Sequence, residues 1–388
     1  MQLMEARSQV IEMGKRLLET GLVARTWGNV SCRLNDSHFV ITPSGRAYEN
    51  LKPEEIVIIN MNDGKAWGDV RPSTEKGVHR KGYHLRQDVN FIIHTHQPEA
   101  SVMSALAADI DVDGNSVFGD TVYCAAYGFP GSETLEKNIA EVIAKGKSRA
   151  LLMAHHGALC LAPSGEEALR IAVSLEMFST YRVRKAFERH LGRPIAAEDS
   201  IYQVLLKDLG TDLPQLVHPL FRSERQGDSI IFHQADRGER LTLNMADTSL
   251  TAEQQIHQGI YRARPDICAI HHSFTPSLIA YSALNRPLAA YLDDFAQING
   301  DTMECAPLNL DGIVQGLGSQ HGVLLERSGA LCCGNNLYDA EALALVAEKN
   351  ARAWLIGQLF PENPIQVIPL EECQKMRRFY LESYALRF

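Results

Sequence analysis

The sequence predicts an α/β fold built twice, and three observations predict it. Short apolar runs with strand-like alternation are separated by amphipathic helical stretches along the whole chain, the order of a layered α/β domain. The 388 residues exceed one typical core and fit two domains of about 190 residues each. Residues 88–106 (DVNFIIHTHQPEASVMSAL) align without gaps to residues 266–284 (DICAIHHSFTPSLIAYSAL), both closing on Ser-Ala-Leu. Gly157-Ala158-Leu159-Cys160 recurs as Gly329-Ala330-Leu331-Cys332, with helical Glu-Ala-Leu segments following at Glu167 and Glu341. The predicted domains are 1–192 and 193–388.

The elements follow in order. A helix is expected over 5–20, then short strands with turn signals, of which 57–61 (VIINM) closing on Asn62-Asp63-Gly64 is a fair sample. Pro72-Ser73-Thr74-Glu75 reads as a helix start, with Ser73 or Thr74 as cap and Glu75 in the first turn. Two apolar runs, 90–93 and 150–153, read as strands, and a long helix over 166–189 follows. Leu191-Gly192-Arg193-Pro194 breaks that helix and marks the boundary between halves. The second copy opens with a helix over 198–209.

What those two strands carry is the chemistry. The first leads into His94-Thr95-His96 and the second into His155-His156-Gly157. In extended chain residues i and i+2 share a face, so His94 and His96 can reach one ion. Of the neighbours His155 and His156 only one can point the same way. Three imidazoles and an open position form the catalytic arrangement for zinc, whereas structural zinc is closed by four ligands. In the second half His272 stands at the place of His94, but Phe274 and Ser328 stand at those of His96 and His156, so this copy should bind no metal alone. Glu75 and His79 match Glu253 and His257.

Composition excludes several classes. A net charge of -9 leaves no basic field to recruit nucleic acid or anionic lipid. No apolar stretch approaches the ~18 residues that cross a bilayer, and the charged, helical start is not signal-like, so the expected location is cytoplasmic. Eight cysteines without C-x-x-C spacing read as reduced core thiols.

The motifs Gly28-Asn29-Val30-Ser31, Ile41-Thr42-Pro43-Ser44-Gly45, Pro72-Ser73-Thr74-Glu75, His94-Thr95-His96 and His155-His156-Gly157 together resemble the class II aldolase and adducin family, with residues 4–187 close to its fuculose-phosphate aldolase members. The second half resembles the same fold with a degenerate site. The resemblance implies two α/β/α domains, each a central, mostly antiparallel sheet with helices on both faces. It implies His94, His96 and His156 as metal ligands, with His155 a neighbouring non-ligand, and Glu75 as catalytic base. Asn29, Ser44, Gly45, Ser73 and Thr74 match the pocket for the substrate phosphate, where small polar groups and a helix N-terminus favour an anion. Zinc is the expected ion; manganese, iron, cobalt or nickel suit the same donors.

The implied function is a metal-dependent aldolase that cleaves a phosphorylated ketose through a metal-stabilised enediolate. Epimerisation and decarboxylation pass through a similar oxyanion, and the family also contains non-catalytic, adducin-like scaffold proteins. The substrate is expected to be a small anionic sugar. Family active sites lie between subunits of a four-fold ring, so a homo-oligomer is expected, with a dimer forming a pseudo-fourfold ring. Fuculose-type members carry a Tyr proton donor, and residues 109–121 contain no Tyr, whereas the matching segment of the second half carries Tyr291. The expectation is that the second half supplies Tyr291, or Tyr380 or Tyr384 from the tail.

Overall fold

The structure, a computed structural model, describes residues 2–112, 117–214, 222–233 and 240–383. The chain divides into two compact units, the first containing Met1–His190 and Leu359–Gln366, the second Leu191–Gln358 and Val367–Glu382. The first unit therefore also holds a short segment from the second half of the sequence.

The first unit is built on strands β1 Asn29–Arg33, β2 His38–Ile41, β3 Val57–Asn60, β4 Ala66–Trp67, β5 Phe91–Thr95, β6 Ile110–Asp111, β7 Thr121–Ala125, β8 Ala150–Met153 and β9 Gly157–Ala162. They form one sheet in the order β4-β3-β2-β1-β5-β9-β8-β7-β6. All pairs are antiparallel except β7 with β8. The helices are α1 Leu3–Glu19, α2 Lys76–Leu85, α3 Pro98–Ala105, α4 Glu133–Lys145 and α5 Gly165–Leu191. Strand alternation sends Phe39, Ile41, Ile92, Leu151, Leu159 and Leu161 to one face, where they pack with Val78 and Tyr83 of α2 and Leu135, Ile139 and Val142 of α4. Helix α1 lies against β1 and β2, and α3 against β8 and β9.

The second unit repeats this plan with β10 Arg222–Gln226, β11 Ser229–His233, β12 Arg240–Asn244, β13 Ala269–Ser273, β14 Leu288–Ala289, β15 Thr302–Met303, β16 Cys305–Ala306, β17 Gly322–Leu325 and β18 Ala330–Gly334. Its large sheet runs β12-β11-β10-β13-β18-β17-β16, the order of β3-β2-β1-β5-β9-β8-β7, again with a single parallel pair, β16 with β17. Its helices are α6 Ile201–Asp208, α7 Ala252–Ala263, α8 Pro276–Ser282, α9 Asp293–Ile298, α10 Leu310–Leu317, α11 Leu337–Gly357 and α12 Leu370–Ser383. Residues of α7 and α10 fill one side of the sheet, as α2 and α4 do in the first unit. Among the described residues no helix is long and apolar enough to cross a membrane.

The two copies share a tight turn at the sheet centre. A Cβ on Gly157 would lie 2.3 Å from the Thr95 carbonyl oxygen, and one on Gly329 would lie 2.3 Å from that of Ser273. His155 and Arg327, two residues before these glycines, both have positive φ, 62° and 58°.

Two helix starts differ from expectation. Helix α6 begins at Ile201, where Ser200 accepts a hydrogen bond from the Gln203 N–H. Helix α2 begins only at Lys76, with Glu75 at the N-cap and no side-chain cap.

Candidate active site

Strand β5 places His94 on the face shared with Ile92, toward α2, and the chain continues past the strand end to His96. The β8–β9 turn delivers His156. Their Nε2 atoms converge: His94 to His96 is 2.8 Å and His94 to His156 is 3.0 Å. All three donor atoms lie within 4.8 Å of one another, so this group could hold a metal ion. Donors at about 2.1 Å from a tetrahedral ion sit roughly 3.4 Å apart, close to these spacings. His94 Nδ1–H donates to the Ala158 carbonyl at 2.9 Å, which leaves the Nε2 lone pair facing the cluster. His155 points elsewhere, its ring edge-on to Tyr127.

Glu75 completes the group. Its carboxylate lies 2.8 Å from His156 Nε2 and 3.3 Å from His94 Nε2, and it accepts a hydrogen bond from Asn29 Nδ2 at 2.8 Å. Burial alone would raise this acid. With the His94 and His156 rings protonated, their charges and the hydrogen bonds from His156 and Asn29 outweigh burial and hold it well below the usual carboxylate range. The expected capping role does not occur: Ser73 Oγ accepts the Glu75 N–H at 3.2 Å, and the acid turns inward ahead of the helix. In the second unit Thr251 does cap α7, and Glu253 lies within its first turn.

The loops expected to hold the anion are stitched together. Ser44 N–H donates to the Arg71 carbonyl at 2.9 Å and Ser73 N–H to the Thr42 carbonyl at 3.1 Å, joined by a bridge between Pro43 and Pro72. Ser44 and Ser73 are buried, Gly45 takes positive φ, and Thr74 follows in the same turn. A pocket of about 590 Å³ opens beside Ser44 and Gly45, also lined by Arg46, Asn50 and Arg71.

In the second unit the ligand geometry is undone. His272 Nε2, the counterpart of the His94 donor atom, lies 2.5 Å from the Ser328 carbonyl and must carry the proton of that hydrogen bond. Phe274 packs against its ring. Tyr291 belongs to this unit and is only 6% exposed; its phenol is hydrogen-bonded to Tyr281 and its N–H to Asn350 Oδ1. It is not among the residues that converge within the first unit. Tyr380 lies in α12 beneath the Arg377 guanidinium. Tyr384 lies outside the described residues.

Asn29, expected in the phosphate pocket, donates to Glu75, and no role was expected for Ser31, His79 and Tyr83 behind it. Ser31 Oγ is 2.6 Å from His79 Nδ1 and 2.7 Å from the Tyr83 hydroxyl, and His79 Nε2 is 2.5 Å from Asn29 Oδ1. A signal was present: Asn29-x-Ser31 on a strand and Glu75-x3-His79-x3-Tyr83 on a helix, with the Ser, Glu, His and Tyr recurring in the second half.

A tandem α/β chain with two large sheets and, among the described residues, one three-histidine cluster is thereby defined, and comparison with known proteins gives its class. The model of the class II aldolase and adducin N-terminal domain matches twice, over residues 8–181 and 221–355, and the chain belongs to that family as a tandem duplication. It is 32% identical over 181 residues to 5-deoxy-D-ribulose 1-phosphate aldolase of Bacillus thuringiensis serovar kurstaki, covering 45% of this chain and 83% of that protein. It is 30% identical over 206 residues to L-fuculose phosphate aldolase of Haemophilus influenzae, covering 52% of this chain and 93% of that protein. A solved L-fuculose 1-phosphate aldolase is 28% identical, with a TM-score of 0.45 over 53% of this chain and 96% of its own.

Proposed function

We propose that the protein is a divalent-metal-dependent aldolase that cleaves a ketose 1-phosphate into a three-carbon ketose phosphate and an aldehyde, at one site per chain, in the first unit. The observation that carries the reading is the Glu75 carboxylate within 2.8 to 3.3 Å of the His156 and His94 ring nitrogens. An ion held by His94, His96 and His156, most simply zinc, would supply Lewis acidity worth several kcal/mol to the enediolate charge. Glu75, a buried carboxylate beside the three rings, would hold and return the proton that carbon–carbon cleavage requires. The Ser44, Ser73 and Thr74 hydroxyls and the Gly45 and Thr74 N–H groups would serve the phosphate, and both relatives named above act on sugar phosphates by name.

The test is incubation of metal-loaded protein with a panel of ketose 1-phosphates, reading dihydroxyacetone phosphate release through a coupled reductase. Release of that fragment with an aldehyde supports the reading. An isomerised sugar or carbon dioxide, without the fragment, would place the chemistry with the epimerases or decarboxylases instead.

A further inference from the structure

We propose that Tyr83, Ser31, His79 and Asn29 form a one-way hydrogen-bond chain that holds the Glu75 carboxylate in a single orientation at the three-histidine cluster, with His79 the positioning residue that sets its direction. The inference rests on Glu75 being the catalytic base.

The chain follows from two matched periodicities. Two residues along a strand advance about 6.7 Å and four along a helix about 6.0 Å, so alternate residues of β1 can face every fourth residue of α2. Asn29 meets Glu75, Ser31 meets both His79 and Tyr83, and the Arg33 guanidinium lies over the Tyr83 ring. Asn29, Ser31, Glu75, His79 and Tyr83 are all buried.

Only one proton arrangement satisfies every contact. The Asn29 NH2 donates to Glu75 Oε2 at 2.8 Å, so the Asn29 carbonyl faces His79. His79 then donates from Nε2 and accepts at Nδ1 from the Ser31 hydroxyl, whose oxygen in turn accepts from Tyr83. Burial keeps His79 neutral, lowering its pKa to about 3. An amide cannot pass a proton along, so the chain orients Glu75 and does not drain it.

The second unit is an internal control. Ser223 lies 2.7 Å from His257 Nδ1 and 2.8 Å from the Tyr261 hydroxyl, the same triad. Phe221 stands two residues before Ser223, where Asn29 stands before Ser31, and His257 Nε2 has no hydrogen-bond partner among the described residues. The Ser-His-Tyr part thus serves the fold in both units, and only the His79–Asn29–Glu75 link is particular to the site.

The experiment compares His79→Asn, which keeps an acceptor near Nδ1 but loses the Nε2 donor, with His79→Gln, which restores a donor near Nε2, and with His257→Asn. Histidine 15N NMR of the full chain reads the tautomer, and kcat, KM and metal content are measured for each variant. Expected are an Nε2-protonated His79, a kcat at least tenfold lower in His79→Asn with KM within about twofold and metal content unchanged, recovery to within about threefold in His79→Gln, and unchanged kcat in His257→Asn. An Nδ1-protonated His79 overturns the chain whether or not the protein cleaves any ketose phosphate. Equal kcat losses in His79→Asn and His79→Gln would also overturn it. Absence of cleavage by the wild-type protein, with the tautomer as expected, would instead remove only the activity reading.

Discussion

Substituting alanine for Gly157 tests how closely the metal centre depends on the strand crossing beneath it. The added Cβ would sit 2.3 Å from the Thr95 carbonyl oxygen and 3.3 Å from His94 Cε1. Reaching the 3.4 Å of an ordinary contact requires the start of β9 to move about 1 Å from the end of β5. Overpacking of this kind costs ~1–3 kcal/mol, which lowers the midpoint of a unit this size by roughly 2–10 °C. Because β5 carries His94 and His156 immediately precedes Gly157, the same shift separates two of three ligands by far more than the ~0.2 Å a metal site tolerates, so affinity should fall on the order of 100-fold. Gly329→Ala is the matched control. Its Cβ meets the Ser273 oxygen at the same 2.3 Å, in a positive-φ residue, so it should cost at least as much stability and leave metal binding untouched. Thermal unfolding and competitive metal titration of both variants decide. Unchanged affinity in Gly157→Ala, or lost affinity in Gly329→Ala, would refute the reasoning.

Three further outcomes are expected. Glu75→Gln should lower kcat by ~10²–10⁴-fold while retaining about one ion per chain, measured by cleavage rate and elemental analysis. Tyr291→Phe removes a bond within a packed core and should cost about 1 kcal/mol with kcat unchanged; a kcat loss of tenfold or more would support Tyr291 as the proton donor that the second half supplies. Burial first, and the His272 charge second, lower His257 from 6.5 to about 3. The unfolded chain therefore takes up a proton that the folded chain refuses. The stability is present above about pH 6.5 and is lost as pH falls toward 3, at up to ~1.4 kcal/mol per unit. The stability lost between pH 7 and pH 5, measured by urea unfolding, should be about 2 kcal/mol smaller in His257→Leu.

The tandem repeat, the alternation of strands and helices, and the convergence of His94 and His96 with one of His155 and His156 were legible because each is written in local spacing, while the choice of His156 came from the family resemblance. The role of Ser73 was not. Ser73 and Thr251 stand at matching positions with the same capping chemistry, yet only Thr251 caps, because Asn29 and His156 draw Glu75 inward and delay the start of α2. Nor could the residues behind Glu75 be assigned from spacing alone, since their meaning depends on α2 lying along β1, a pairing set by the sheet order. Tyr291 was placed by its position in a segment, and its burial against Tyr281 depends on packing that sequence does not print.

The central claim is a single working metal centre in the first unit of a duplicated chain. Elemental analysis of the purified protein, beside His96→Ala and a Ser328→Ala control, tests it most directly. The account predicts about one divalent ion per chain, lost in His96→Ala together with ketose phosphate cleavage and kept in Ser328→Ala; two ions per chain, or one that survives His96→Ala, would contradict it.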